Sequence, residues 1–231
     1  MKCAIIQPSY IPWRGYFEQI YKADIFVFYD DVQYDKHGWR NRNRIKTHQG
    51  AQWLTIPVHS GGVVVEHIPI NQIEIDWHTA WNRKHWSAIQ QAYSKAPYFE
   101  KYEPMLKHFY FEMTPALLAD FTIETTMILC RELGMTRTQF IRSSAIQVSG
   151  RKTDRVIDVL TQLGVTEYIS GPSARSYIEE DKFNAAGISL EYMQYEYEEY
   201  PQLYPPYDPQ ISILDLMMMT GAEALNYIKH E

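Results

Sequence analysis

The first thirty residues alternate between short apolar runs and a helical spacing of apolar positions. Residues 3–6 form an apolar run too short for a helix, which is typical of a buried strand. Tyr16, Ile20 and Ala23 then recur at steps of four and three residues, and residues 24–29 form a second strand-like run. The pattern predicts a strand–helix–strand unit. Parallel strands of such a unit bring the residues that follow them to one edge of the sheet, where α/β proteins bind ligands.

The same order of elements returns in the second half of the chain. The predicted elements there are a strand over 139–146, a helix over 150–163, a strand over 166–170, a helix over 174–183, a strand over 188–195 and a helix over 213–219. Ser212 is the predicted N-cap of the last helix. The sequence therefore predicts an α/β fold with a Rossmann-like, mostly parallel sheet built from βαβ units, together with a helical insertion or cap.

The middle of the chain supplies that insertion. Residues 52–58 are predicted as a third strand and residues 63–75 as strand and loop, after which the apolar positions follow a helical spacing. Thr114 and Pro115 have the residue types of an N-cap and a first helical position. We expect a single α/β domain over residues 1–231 with the helical insertion at about 77–135.

Composition and charge narrow the classes of function. The 231 residues carry a formal net charge of -6, which argues against non-specific binding of nucleic-acid polymers or anionic membranes. The two cysteines, Cys3 and Cys130, provide no disulfide framework or zinc spacing, and the eight histidines form no recognisable metal-ligand motif. The first apolar run is too short for a secretory signal, so the sequence predicts a cytoplasmic protein without membrane insertion; it leaves cofactor and oligomeric state open.

The strand-to-helix turn at residues 12–16 is the first candidate site. Helix N-termini present free N–H groups that attract phosphate or carboxylate, and Gly15 allows a close approach to the backbone. A tight turn covered by Trp13 is the alternative. The spacing is similar to that of nucleotidyltransferases of the H-x-G-H type, with Trp13 and Tyr16 in place of the two histidines.

An acidic pair, Asp30 and Asp31, follows the second predicted strand. Carboxylates at a strand end can act as a general base, orient sugar hydroxyls or bind a metal. Successive strand residues point to opposite faces, so we expect at most one of the two in a cleft. The alternative is a turn in which one carboxylate caps the backbone and the other pairs with Lys36 or Arg40.

A basic run follows, in which Arg40, Arg42, Arg44 and Lys46 alternate with other residues. Extended backbone would place these four side chains on one side, and guanidinium groups bind phosphate and carboxylate in a bidentate manner. In an acidic protein, a focused basic cluster favours a small anionic ligand such as a sugar diphosphate. A solvated basic loop is the alternative.

Two later turns are predicted to reach the same sheet edge. Ser149, Arg151 and Lys152 lie at a helix start, and Ser170, Gly171 and Ser173 follow the next strand. Small, hydroxylated and basic residues at a helix N-terminus are compatible with phosphate, although neither turn matches a Walker loop.

Several motifs together resemble the WbqC-like family of bacterial proteins, which is associated with O-antigen and other surface polysaccharides. The residues that carry the resemblance are Gln7-Pro8-x-Tyr10-x-Pro12-Trp13-x-Gly15-Tyr16-Phe17, Ala23-Asp24, Asp30-Asp31-Val32-Gln33-Tyr34, Trp39-x-Asn41-Arg42-Asn43-x-Ile45-Lys46, Trp53-Leu54-Thr55-Ile56-Pro57-Val58 and Ser212-Ile213-Leu214-Asp215-Leu216. The resemblance implies a cytoplasmic enzyme that acts on a nucleotide-linked sugar or amino sugar in lipopolysaccharide precursor biosynthesis, with acyl or aminoacyl transfer as the implied reaction.

The predicted function is therefore a transferase of surface-polysaccharide precursors with Asp30 and Asp31 as catalytic residues. The predicted substrate-binding residues are Gln7, Tyr10, Trp13, Gly15, Tyr16, Gln33, Tyr34, Lys36, Trp39, Asn41, Arg42, Asn43, Arg44, Lys46, Ser149, Arg151, Lys152, Ser170, Gly171 and Ser173. Two alternatives stay open: a nucleotidyltransferase-like enzyme that uses ATP or CTP, and a non-catalytic binding or scaffold subunit of a polysaccharide assembly complex.

Overall fold

The centre of the fold is a five-stranded parallel sheet. The computed structural model describes residues 1–229. In chain order the strands are β1 (Lys2–Ile6), β2 (Ile25–Phe28), β3 (Arg42–Thr47), β4 (Gly50–Thr55), β5 (Gln139–Arg142), β6 (Glu167–Ser170) and β7 (Ser189–Tyr192). The sheet has the order β5-β2-β1-β6-β7, and every neighbouring pair is parallel. The predicted Rossmann-like α/β class is confirmed.

Helices cover both faces of this sheet. They are α1 (Arg14–Lys22), α2 (Val63–Glu66), α3 (Trp81–Tyr93), α4 (Phe99–Lys107), α5 (Leu118–Glu132), α6 (Lys152–Gln162), α7 (Glu180–Ala185) and α8 (Ile213–Thr220). Ser212 caps α8 as predicted, since its hydroxyl accepts from the Leu214 N–H at 3.3 Å. Over residues 1–229, none of the helices combines the length and the apolar character needed to cross a membrane.

Alternate residues of β1 enter two different cores. Cys3 and Ile5 pack with residues of α6 and α7, including Val159 and Phe183. Ala4 belongs to the larger core on the opposite face, which contains α1, α3, α4, α5 and α8. Burial on both faces explains why β1 reads as an unbroken apolar run.

The strand order creates a crevice beside β1. The chain runs from β1 to β2 on one side, whereas β6 pairs with β1 on the other side. At such a switch point, the connections leaving two neighbouring strands diverge and leave space at the carboxyl ends. A cavity opens at this end of β1.

A separate hairpin is the main departure from the predicted strands. The third predicted strand, residues 52–58, begins earlier as β4 and pairs antiparallel with β3 outside the main sheet. Residues 63–75 are not strand and loop as predicted, because Gly62 at φ 72 starts the short α2 and a 3-10 turn follows at Ile70–Gln72. A left-handed glycine reverses the chain and prevents a continuous strand.

Two predicted helix limits were also wrong. Thr114 is not an N-cap, because α5 begins at Leu118 after an extended segment in which Ala116 O accepts from Ile75 N. The predicted helix over 174–183 is a 3-10 turn at Pro172–Ser176 followed by the shorter α7. Tyr177, with φ -139, separates the two pieces.

Candidate functional site

A cavity of about 360 Å³ lies at the carboxyl end of β1. Its walls come from the β1–α1 loop, from α1, from the segment that leads into β3, and from the C-terminal segment before α8. The lining residues are Ile6, Ser9, Pro12, Trp13, Tyr16, Gln19, Trp39, Arg40, Asn43 and Gln210. The volume is within the range of small-molecule sites, and the position is the one at which open α/β sheets bind ligands.

The β1–α1 loop is held in a strained conformation. Ile11 is fully buried and has a φ of 36°, which is costly for a β-branched residue. The Asn43 side chain donates from Nδ2 to the carbonyls of Tyr10 and Ile11, at 3.1 and 2.9 Å. The hairpin strand β3 thus fixes the loop, and this explains why Asn43 is buried.

Trp13 folds back over the start of α1. A Cβ added to Gly15 would lie 2.4 Å from Cζ2 of Trp13, so only glycine fits beneath the indole. The indole packs edge-on against Tyr195, with ring centroids 4.8 Å apart. The space above Gly15, which we expected a ligand to approach, is therefore filled by Trp13, and the indole becomes a wall of the cavity.

Arg40 supplies the positive charge of the cavity lining. Its Nη1 donates to the Gln7 carbonyl at 3.2 Å, and that carbonyl also accepts from the Tyr16 hydroxyl at 3.2 Å. Its Nε lies 3.2 Å from the Asp35 carboxylate, but the approach is off the N–H direction, so the two groups form an ion pair without a hydrogen bond. Burial lowers the pKa of Arg40, while Asp35 raises it.

The Tyr-rich C-terminal segment packs against α1. Gln19 donates from Nε2 to the Tyr195 hydroxyl at 2.6 Å. Arg14 donates to the Glu198 carbonyl at 2.9 Å and to the Tyr207 hydroxyl at 2.7 Å. These contacts attach residues 195–207 to α1, so Arg14 at the helix start is used for packing.

From Arg42 onward the basic run adopts the extended form that we considered, as strand β3, whereas Arg40 precedes the strand. Lys46 is buried and donates from Nζ to the Pro206 carbonyl, and Arg44 donates to the Gln210 carbonyl at 2.7 Å. Arg42 donates to the His37 carbonyl and lies over the Trp53 ring, with its Cζ 4.6 Å from the ring centroid. Arg44 and Lys46 thus anchor the C-terminal segment, whereas Arg42 lies beside exposed aromatic surface.

The acidic pair forms a network away from the cavity lining. The buried Asp30 carboxylate accepts from Arg142 Nε at 2.9 Å, from the Ser144 N–H and hydroxyl at 3.0 and 2.8 Å, and contacts the Ser143 hydroxyl at 3.2 Å. Asp31 accepts from Arg155 and from the Ser143 hydroxyl, each at 2.5 Å. This network links the carboxyl ends of β2 and β5. The catalytic role of the two carboxylates stays a prediction.

Tyr10 belongs to a buried hydrogen-bond chain. Its hydroxyl lies 2.9 Å from His85 Nδ1 and 2.6 Å from the Tyr110 hydroxyl. Burial lowers the pKa of His85 to about 4, and a backbone hydrogen bond at Thr55 opposes that effect. The three side chains form a continuous hydrogen-bond chain, in which the tautomer of His85 decides which of the two hydroxyls donates to the other.

The other predicted site residues are dispersed. Asn41 donates to the Ile56 carbonyl at 2.8 Å, and the exposed Gln33 side chain pairs with His67 at 3.0 Å. Tyr34 is buried in the larger core, and Lys36 is exposed. None of these four residues is part of the cavity lining.

The two later turns also lie outside that lining. Ser149, which precedes α6, donates from its N–H and its hydroxyl to the Asp158 carboxylate. The neighbouring Arg151 and Lys152 are exposed. Ser170 is the last residue of β6. A Cβ on the following Gly171 would lie 3.7 Å from the Tyr195 hydroxyl, and Ser173 is exposed.

The cavity brings together Trp13, Tyr16, Trp39 and Asn43 of the predicted set. Sequence reasoning omitted Ser9, Gln19, Arg40 and Gln210 from that set. Arg40 belongs to the basic run and was thus detectable as a candidate, but the sequence does not reveal which arginine of the run faces a cavity. Across residues 1–229, no three histidine, cysteine, aspartate or glutamate side chains converge as metal ligands.

Fold and cavity together define a Rossmann-like α/β protein with a ligand-sized site at the carboxyl end of its first strand. A sequence profile described as the WbqC-like protein family matches residues 7–227, and the chain belongs to this family. The uncharacterized protein Rv1507c of Mycobacterium tuberculosis is 41% identical over 230 residues, which cover 99% of this chain and 98% of that protein. No solved structure matches the chain significantly.

Proposed function

We propose that this protein is a transferase that binds an anionic, nucleotide-linked sugar in the cavity beside β1. The observation that carries the proposal is Arg40, a guanidinium placed in the wall of a 360 Å³ cavity between Trp13 and Trp39. A cation, aromatic faces and amide groups around one cavity are the groups that a phosphorylated sugar requires.

The charge of Arg40 favours an anion. Its side chain is only 11% exposed, and its ion-pair partner Asp35 is half exposed to solvent. A guanidinium removed from water is stabilised by a full set of acceptors, and a phosphate or carboxylate supplies two parallel ones. The overall net charge of -6 argues against non-specific binding of polyanions, so a local cation favours a small anionic ligand.

Gln19 favours a hydroxylated ligand. Its side-chain carbonyl oxygen Oε1 is buried and has no hydrogen-bond partner within the described part of the chain, while its Nε2 is committed to Tyr195. A buried acceptor without a donor is costly unless a ligand or water fills it. A turn of the Gln19 side chain toward the cavity, which it lines beside Trp13 and Tyr16, would bring this oxygen to a sugar hydroxyl that supplies the donor.

The reaction that we propose is the one that the resemblance to the WbqC-like family implies, namely acyl or aminoacyl transfer to the sugar or amino-sugar part of a surface-polysaccharide precursor. Asp31 is the better candidate for a base than Asp30, because Asp30 is fully buried and accepts from four donor groups. Neither carboxylate lines the cavity, so this role requires the reacting group of the substrate to extend from the cavity toward the carboxyl end of β2.

Calorimetric titration with UDP-N-acetylglucosamine and dTDP-glucose tests the binding part of the proposal. We expect Arg40→Met to weaken binding at least tenfold, because the phosphates lose a charge-assisted partner. Arg137→Met, at an exposed arginine outside the cavity lining, is the matched control and should bind as the wild type does. Equal affinity in all three proteins would remove Arg40 from the site.

Turnover separates the transferase from a binding subunit. Asp31→Asn should keep the affinity for the sugar nucleotide and lose transfer of an acyl group from an acyl-CoA donor. A wild-type protein that binds the sugar nucleotide but transfers no group from a panel of activated acyl and aminoacyl donors would favour the scaffold alternative.

A further inference from the structure

We propose that Trp39 and Trp53 form a platform at the rim of the cavity on which the base of a nucleoside diphosphate stacks. The inference rests on the proposed function and adds a second subsite to it. We call the surface made by Trp39, Trp53, Arg42 and Arg44 the tryptophan platform. Trp53 is not among the residues of the cavity lining, so this subsite extends beyond the cavity.

The two indoles are unusually exposed and lie side by side. Trp39 is 42% exposed and Trp53 is 44% exposed. Their ring centroids are 5.2 Å apart and their planes are inclined by 35°. Tryptophan normally buries most of its surface, and adjacent exposed aromatic rings mark a binding surface more often than isolated ones do.

The hairpin holds both rings in place. Trp53 lies opposite Arg44 in the register of β3 and β4, so its side chain stands on the same face of the hairpin as that of Arg44. Trp39 is fixed by its backbone, since its carbonyl accepts from the Tyr10 N–H at 3.2 Å. A platform built on a strand and on an anchored turn needs little ordering when a ligand binds.

The arginines of the platform indicate an anionic ligand. The Cζ atom of Arg42 lies 4.6 Å from the centroid of Trp53, and that of Arg44 lies 5.7 Å from Trp53 and 5.9 Å from Trp39. Arg44 is also engaged by Gln210, whereas Arg42 pairs only with the His37 carbonyl among its described hydrogen bonds. A neutral sugar needs only the aromatic faces, whereas a nucleotide uses both the aromatic faces and the positive charge of the arginines.

Trp39 connects the platform to the cavity. It is a member of both surfaces, and the next residue in the chain is Arg40, the cation of the cavity. A nucleoside diphosphate sugar whose base lies on the platform and whose sugar lies in the cavity would bring its phosphates near two arginines, Arg42 of the platform and Arg40 of the cavity lining. The protein thus offers an aromatic surface, basic groups and a mixed cavity for the three parts of such a ligand.

The test compares UDP with inorganic pyrophosphate, which lacks the base. Both are titrated calorimetrically into the wild type and into Trp53→Ala, Trp53→Phe and Tyr177→Ala. Stacking of a base on an aromatic side chain is worth about tenfold in affinity or more. We expect Trp53→Ala to lower the affinity for UDP about tenfold and to leave that for pyrophosphate unchanged, and Trp53→Phe to retain most of the preference for UDP.

Tyr177→Ala is the matched control, because Tyr177 is 68% exposed and lies outside the platform. It should change neither affinity. Because every base has an aromatic face, ADP and GDP should show the same loss in Trp53→Ala as UDP does.

The outcomes separate this inference from the proposed function. If the wild type binds UDP and sugar nucleotides but Trp53→Ala retains the full preference for UDP over pyrophosphate, the platform is wrong and the cavity proposal stands. An equal loss for UDP and pyrophosphate would also overturn the platform, because it would indicate a general distortion. If the wild type binds none of these ligands, both proposals fail.

Discussion

The indole of Trp13 lies directly over the backbone of Gly15, so close that a Cβ at position 15 would be 2.4 Å from the ring. This contact ties a wall of the cavity to the first turn of α1. It also connects α1 to the C-terminal segment, because the indole contacts Tyr195 as well. A single methyl group at position 15 should therefore affect both the stability of the fold and the shape of the site.

Replacing Gly15 by alanine should destabilise the protein. We expect Gly15→Ala to lower the free energy of unfolding by about 1–3 kcal/mol, because the indole must move out of a packed position. Urea denaturation measures this change. Gly61→Ala is the control, since a Cβ there meets no atom within 4 Å, and its effect should stay within about 0.5 kcal/mol. Equal stability of both variants would show that Trp13 moves without cost.

The Asp30 network should contribute to stability independently of any catalytic role. Asp30→Ala leaves Arg142 and the Ser144 N–H without their acceptor, and we expect a loss of about 3 kcal/mol in the free energy of unfolding. The matched control is Asp154→Ala, because Asp154 forms an exposed ion pair with Lys182, and such pairs contribute about 0–1 kcal/mol. Similar losses in the two variants would contradict the burial argument.

His85 should make stability depend on pH. Its folded-state pKa of about 4 is below the ordinary 6.5, so between these values the unfolded chain binds a proton that the folded protein does not. Stability should therefore fall as pH drops through this window. The loss between pH 7 and pH 5 should be about 2 kcal/mol smaller in His85→Gln than in the wild type.

The exposed His78 provides the control for this pH effect. His78→Gln should retain the wild-type difference between pH 7 and pH 5 in urea denaturation. If His85→Gln shows the same difference as the wild type, His85 takes up a proton in the folded protein as easily as in the unfolded chain. That result would contradict the lowered pKa of a His85 buried beside Tyr10 and Tyr110.

The pattern of apolar positions predicted the centre of the fold better than its periphery. The strands β1 and β2 are buried on both faces, so their sequences are continuous apolar runs that indicate strands without knowledge of their neighbours. The strand β3 has the sequence Arg-Asn-Arg-Ile-Lys-Thr, and its inward Asn43 is buried only because it binds the carbonyls of the β1–α1 loop. A tertiary contact, not a local preference, makes this polar segment a strand.

The position of the cavity was predictable from the sequence, but its lining was not. The sheet edge after β1 follows from the βαβ pattern, and Trp13 and Tyr16 lie there as expected. Gln210 reaches the same cavity from the far end of the chain, and no local pattern indicates this. The partners of Asp30 come from the end of β5 and the turn after it, 112 to 114 residues later, so the sequence could not show that its carboxylate is already engaged.

A crystal structure of the protein with UDP-N-acetylglucosamine would show directly whether the sugar nucleotide occupies the cavity. We expect electron density for the sugar beside Trp13 and Gln19, with a phosphate oxygen within hydrogen-bond distance of Arg40. Density for the ligand at another surface, or a cavity that stays filled by water at ligand concentrations that saturate the protein in solution, would contradict this expectation.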